Sequence, residues 1–188
     1  MKSPEKQKPA QNHDLIQKKL IFLTALCLFF SAVEFAIPKP IPFLRLGLAN
    51  IPVILSFFLL SPVYSILLIV LKIFVQNLIS GTLFSYTILF SIAGSFASGL
   101  GMLALYSVLY KGRRQLISLI GLCLAGALLN SLGQLAVSYF LMFGQNTKYI
   151  APVFLCLSLA TGLLLGIFTE YFVRHSKWFD LAVNGGPK

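Results

Sequence analysis

The chain is 188 residues long, 57% hydrophobic and only 11% charged, with a formal charge of +10. A soluble fold of this size could not hide that much apolar surface, so a water-soluble globular domain is excluded. The positive charge would suggest nucleic acid in a soluble protein; in an apolar chain its distribution decides its meaning.

Apolar sequence runs almost unbroken from Leu20 to Val173. A helix of roughly 18 or more apolar residues crosses a ~30 Å hydrocarbon core. The first span is predicted over Leu20–Ile37. Lys18 and Lys19 before it have the polarity of a signal peptide. The run outlasts the usual apolar region, however, and Glu34-Phe35-Ala36 with Pro38 offers no small-residue cleavage site, so an uncleaved helix is expected. Pro38-Lys39-Pro40-Ile41-Pro42 follows, and alternate prolines favour a stiff extended connection. Further spans are predicted at Leu44–Leu60, Val63–Ser80, Ser85–Tyr110, Leu116–Phe143 and Ile150–Val173. The breaks fall at Ser61-Pro62, Ser80-Gly81-Thr82, Lys111 to Gln115 and Gly144 to Lys148. The expected fold is an all-α integral membrane protein with three parts: a basic tail (1–19), a compact bundle of about six transmembrane helices (20–173) and a second tail (174–188).

If the N-terminus is cytoplasmic, eleven of the fifteen Lys and Arg residues fall on the inner side. They are Lys2, Lys6, Lys8, Lys18 and Lys19, then Lys111, Arg113 and Arg114, then Arg174, Lys177 and Lys188. Only Lys39, Arg45 and Lys148 fall outside, and Lys72 lies within the third span. Cations accumulate on the cytoplasmic side of membranes, so both termini are expected inside. The apparent nucleic-acid signature becomes membrane topology, and no nucleic-acid partner is expected.

Cys27, Cys123 and Cys156 sit inside apolar segments at no metal-ligand spacing, and read as small hydrophobes. Small residues recur four apart in Ala93/Ala97/Gly101, Gly94/Ser98, Gly121/Ala125 and Gly162/Gly166. Such rows let helices approach closely in lipid, and packing within the bundle is expected for most. The first span carries Ala32 and Ala36 at the same spacing.

Polar residues within the spans bear the functional question. Glu34 lies late in span one, Asn50 early in span two, and Lys72 near the middle of span three with Gln76, Asn77 and Ser80 after it. Lys72, Gln76 and Ser80 share one helix face, as do Asn130 and Gln134 in span five. Four helices thus place polar groups at one level, in the outer half. Two readings are open. Glu34 pairs with Lys72 or Arg45 while the amides bridge helices; or these groups line a pocket for a small polar or amphipathic ligand. An intramembrane charge costs at least ~2.5–3.5 kcal/mol on the insertion scale, which favours the pocket. Glu170, four residues before Arg174, reads as an interfacial ion pair.

The sequence carries no G-x-x-x-x-G-K-[ST] and no H-E-x-x-H. His13, His175, Asp14 and Asp180 all lie outside the predicted spans. Magnesium–diphosphate chemistry needs clustered carboxylates, so no catalytic activity, no cofactor and no metal are expected, and any energy must come from partners or a gradient.

Several stretches resemble a family of small bacterial membrane proteins: Arg45-Leu46-Gly47-Leu48-Ala49-Asn50-Ile51, Ile79-Ser80-Gly81-Thr82-Leu83, Phe90-Ser91-Ile92-Ala93-Gly94, and Ser118-Leu119-Ile120-Gly121 leading to Asn130-Ser131-Leu132-Gly133-Gln134. This is the Gx transporter family, also labelled heptaprenyl diphosphate synthase component I. Its members in turn resemble substrate-binding (S) subunits of energy-coupling factor (ECF) transporters. The resemblance implies six helices in the bacterial cytoplasmic membrane and an outward-facing site for a vitamin-like or precursor molecule. It also implies a coupling membrane subunit docked on Ala32 and Ala36, driven by separate ATPases. The alternative is a non-transporting accessory of prenyl diphosphate or quinone metabolism, or of flavin- and quinone-linked electron transfer. Candidate ligand-binding residues are Glu34, Arg45, Asn50, Lys72, Gln76, Asn77, Asn130 and Gln134.

Overall fold

The computed structural model describes residues 8–36, 47–110 and 118–176, and every regular element among them is helical. Helix α1 covers Lys8–Ala36, α2 Asn50–Leu59, α3 Pro62–Ile79, α4 Thr87–Leu105, α5 Leu119–Ser138 and α6 Thr147–His175. Local chemistry sets these ends. Ser61 is extended, and Pro62 opens α3 at the first helical position, where a missing N–H costs nothing. Ser118 caps α5 by accepting from Gly121 N at 3.2 Å. Gly81 (φ +65) and Gly144 (φ +50) take left-handed backbone in the α3–α4 and α5–α6 connections. Wide π turns over Tyr106–Tyr110 and Tyr139–Phe143 extend α4 and α5.

Among the described residues, four stretches are long and apolar enough to cross a membrane: Ile16–Ala36, Pro62–Ile79, Thr87–Val108 and Leu119–His175. The last, 57 residues long, contains both α5 and α6. These two are antiparallel. Ser158 Oγ donates to the Ala127 carbonyl at 2.8 Å, Gly162 abuts Ala127, and Gly166 abuts Ile120. The protein is a helical membrane protein.

The expected second span departs most from its predicted form. In place of a continuous helix over Leu44–Leu60, Gly47 (φ +82) opens a turn in which Asn50 N donates to Gly47 O and Ile51 N to Leu48 O. The helix that follows has 10 residues. At 1.5 Å per residue it is about 15 Å long, half of a ~30 Å core. A glycine in left-handed backbone ends helical propagation there, so composition overstated the span. Residues Asn50 to Phe57 are all buried, as befits a helix apolar on every side. At the other end of the register, α1 starts at Lys8, within the segment expected as a tail.

Two apolar clusters meet on α2. Val53, Ile54 and Phe57 pack with Ile69, Ile73, Met102 and Leu122. Ile51 and Leu55 pack with Leu23, Cys27 and Leu68. The short helix is therefore the core, and the long ones wrap it. Outward faces are as apolar as the interior: Phe74, Phe140, Leu164 and Val63 are all more than half exposed. In water such a surface would aggregate, and in a bilayer it meets lipid tails. Phe84, Tyr86, Tyr139, Phe140 and Tyr149 cluster, exposed, in and beside the α3–α4 and α5–α6 connections. That matches the aromatic belt at a membrane–water interface.

The small-residue rows do serve packing within the bundle. Gly133 lies on the Ala93 carbonyl, Gly101 on Leu129 and Gly126 on Met102. Cys27 and Cys123 are buried, whereas Cys156 is exposed among apolar neighbours. Glu170 Oε1 accepts from Arg174 Nη2 at 2.6 Å, the expected one-turn ion pair.

Candidate functional site

The polar site is built in two halves. The first clamps the start of α2. Leu23, Cys27, Ser31 and Glu34 form the buried stripe of α1, at four- and three-residue spacing. The stripe ends in a carboxylate: Glu34, 1% exposed, accepts from the backbone N–H of Leu48 at 3.1 Å. From the opposite side, Lys72 of α3 donates from Nζ to Asn50 Oδ1. Gly47 permits the fold of this turn twice over, because a Cβ there would stand 3.0 Å from Asn50 Nδ2 and its φ suits glycine. An acid and a base at 1% and 3% exposure thus hold the turn that begins the central helix.

The second half lies on α5. Asn130 and Gln134 share one face, one turn apart, and both rest on Gly94 of α4. A Cβ at Gly94 would fall 2.5 Å from Asn130 Oδ1 and 3.0 Å from Gln134 Cγ. Only glycine lets α4 and α5 close over these amides. Gln134 is 1% exposed, and among the described residues neither its Nε2 nor its Oε1 has a hydrogen-bond partner. A buried amide left in that state costs roughly 1–3 kcal/mol.

The halves face each other across a small cavity. Asn50 of α2, Asn130 of α5 and Ser158 of α6 supply polar walls, and Ile51, Ile54 and Leu165 apolar ones. Its volume of about 10 Å³ is near what one water needs. A vitamin-sized molecule enters this space only if α2 or α6 moves.

Of the predicted site residues, Glu34, Asn50 and Lys72 form the clamp, and Asn130 and Gln134 the amide face. Gln76 is buried one turn beyond Lys72. Asn77 belongs elsewhere: its Nδ2 donates to Ile73 O at 2.7 Å and Ser91 Oγ at 3.0 Å, while its Oδ1 accepts from Thr82 Oγ1 at 2.9 Å. Every group of that amide is used to join α3, the following turn and α4. Arg45 lies outside the described residues. So do the proline-rich segment and the basic connection at Lys111, Arg113 and Arg114. Ala32 and Ala36 are exposed on the outer face of α1. Sequence reasoning missed Ser158, a small residue that reads as helix packing, and the part Gly94 plays beneath the amides.

Residues 23–172 match the family model for heptaprenyl diphosphate synthase component I. The chain belongs to that family. No curated protein and no solved structure matches it.

Proposed function

We propose that this chain is a non-catalytic, substrate-binding membrane subunit of an ECF-type transporter. It takes up a small vitamin-like or precursor molecule across the bacterial cytoplasmic membrane through a six-helix bundle with both termini inside. Separate ATPases and a coupling membrane subunit, docked against Ala32 and Ala36, drive release. The carrying observation is Gln134: a fully buried amide with donor and acceptor both unmet among the described residues, one turn from an asparagine that faces a small cavity. Stability alone would replace such a group with leucine or methionine, so its presence supports a ligand that completes its hydrogen bonds. Closure of the cavity to water size fits a subunit that grips its ligand by moving a central half-length helix. The test is native mass spectrometry of the detergent-extracted protein, with thermal stabilisation across a vitamin and flavin panel. A retained small molecule, lost in Gln134→Met, supports the reading; a protein that carries nothing and is stabilised by nothing refutes it.

A second reading draws on the family description: a membrane component that accompanies a soluble prenyl diphosphate synthase. The clustered carboxylates for diphosphate chemistry would then come from the partner, since the aspartates of this chain are Asp14 and Asp180 alone, far apart in the sequence. It predicts co-purification with a prenyltransferase and loss of quinone on deletion, where the first reading predicts an ATPase pair.

A further inference from the structure

We infer that the ligand is an uncharged amphiphile, its head bonded to Asn130 and Gln134 and its hydrocarbon chain passing Ile51 into a cleft between α1 and α6. The inference rests on the binding reading above and adds the ligand's chemical class. The cleft has a volume of about 60 Å³. Leu26 and Phe30 of α1 form one wall, Phe168 and Phe172 of α6 the other, and Ile51 and Leu55 of α2 the floor. No polar surface lines it, and it reaches the outer surface beside Phe168, which is half exposed. Ile51 also walls the cavity in which Asn50, Asn130 and Ser158 are the polar groups. One side chain, 3% exposed, therefore borders both a cavity with polar groups in its wall and a wholly apolar cleft. A molecule with a polar end and a single chain fills both when that side chain turns aside.

The head is specified by what Gln134 lacks. Its Nε2 needs an acceptor and its Oε1 needs a donor. A carboxamide, a hydroxyl or a ring lactam supplies both, whereas a fully ionised phosphate ester, the form above about pH 7, offers acceptors alone and leaves Oε1 unmet. The clamp residues point the same way, since Lys72 is already bonded to Asn50 and Glu34 to the Leu48 N–H. The tail is specified by the six cleft side chains, which offer only carbon. A chain in the bilayer enters such a cleft sideways without crossing water.

The experiment uses the full chain in phosphatidylcholine nanodiscs, with acetamide, dodecanamide and dodecyl phosphate as probes and thermal stabilisation as the readout of affinity. Dodecanamide is expected to bind and dodecyl phosphate not to displace it. Leu26→Trp, which fills the cleft, should weaken dodecanamide by roughly tenfold and leave acetamide within about twofold. A dodecanamide with a diazirine on its terminal carbon should label Phe30, Phe168 or Phe172, in competition with unlabelled dodecanamide, and this second readout serves if the tryptophan variant does not fold. Displacement by dodecyl phosphate overturns the head. Unchanged dodecanamide affinity in Leu26→Trp, or a label spread evenly over lipid-facing residues, overturns the tail and leaves the amide site standing. Failure of every probe, together with an empty protein by mass spectrometry, removes the binding reading itself.

Discussion

Lys72 and Asn50 form one hydrogen bond inside the bundle, yet removing the one partner or the other should have unequal effects. Lys72→Met deletes a charge-assisted bond worth about 1.5–3 kcal/mol. It also deletes the need to keep an ammonium group at 3% exposure, for which the insertion scale sets a cost of about 2.5–3.5 kcal/mol. The two changes nearly cancel, so Lys72→Met should lie within about 1 kcal/mol of the parent. Asn50→Leu removes the same bond but keeps the cation buried. That variant should be less stable by about 2–3 kcal/mol. The protein carries its own probes: Cys27 and Cys123 are buried, while Cys156 is exposed. In a Cys156→Ser background, a thiol-reactive fluorophore reads thermal opening of the core. Equal losses in the two variants, or a larger loss in Lys72→Met, would refute the reasoning, because the lysine would then be contributing more than its burial costs.

Gln134→Met should raise the stability of the ligand-free protein by about 1–3 kcal/mol, since it removes an unsatisfied buried amide, and should abolish ligand stabilisation in the same thiol assay. Gly133→Ala should be more damaging than Gly101→Ala. Its Cβ would meet the Ala93 carbonyl oxygen at 2.7 Å, which is backbone, whereas at Gly101 the obstacle is the flexible end of Leu129; expression and thermal unfolding of the two variants in parallel check the order. Asn77→Ala should cost about 2 kcal/mol through the bonds it makes to Ser91 and Thr82. Its ligand affinity should stay at the parent level, in contrast to Asn130→Ala, as isothermal titration of the purified variants would show.

Much of the helical order was legible because composition and proline placement are strong signals in a membrane chain. The Ser61-Pro62 break, the apolar runs of α3 to α6 and the packing rows of glycine all follow from local chemistry. The half length of α2 was not legible. Hydropathy sums over Leu44–Leu60 without registering that Gly47 would adopt a left-handed backbone and start a turn. Site residues were legible as a set and illegible as partners. Asn77 and Asn130 look alike in the sequence, each an asparagine within an apolar helix. Only the position of Ser91 and Thr82 shows that one amide is saturated, and only the cavity shows that the other faces open space.

The half-length helix explains why this bundle keeps two buried charges. A helix that begins within the bundle presents N–H groups where no water can reach them, and each must find an acceptor in the protein. Asn50 N and Ile51 N turn back on Gly47 and Leu48, and the N–H of Leu48, two residues before Asn50, meets the Glu34 carboxylate. A negative charge at that end also suits the helix dipole. Lys72 then fixes the Asn50 side chain from the opposite face. Both charges are thereby bound to the placement of α2, which under the proposed function leaves recognition to the uncharged amides of α5. On this division of labour, Glu34→Gln keeps an acceptor for Leu48 and should preserve the turn, whereas Glu34→Ala strands that N–H and should release α2. The distinction is measurable as faster thiol labelling of Cys27, whose sulfur lies 3.9 Å from the Ala49 carbonyl beside the turn. Equal labelling in the two variants would mean that the charge of Glu34, rather than its hydrogen bond, holds the helix in place.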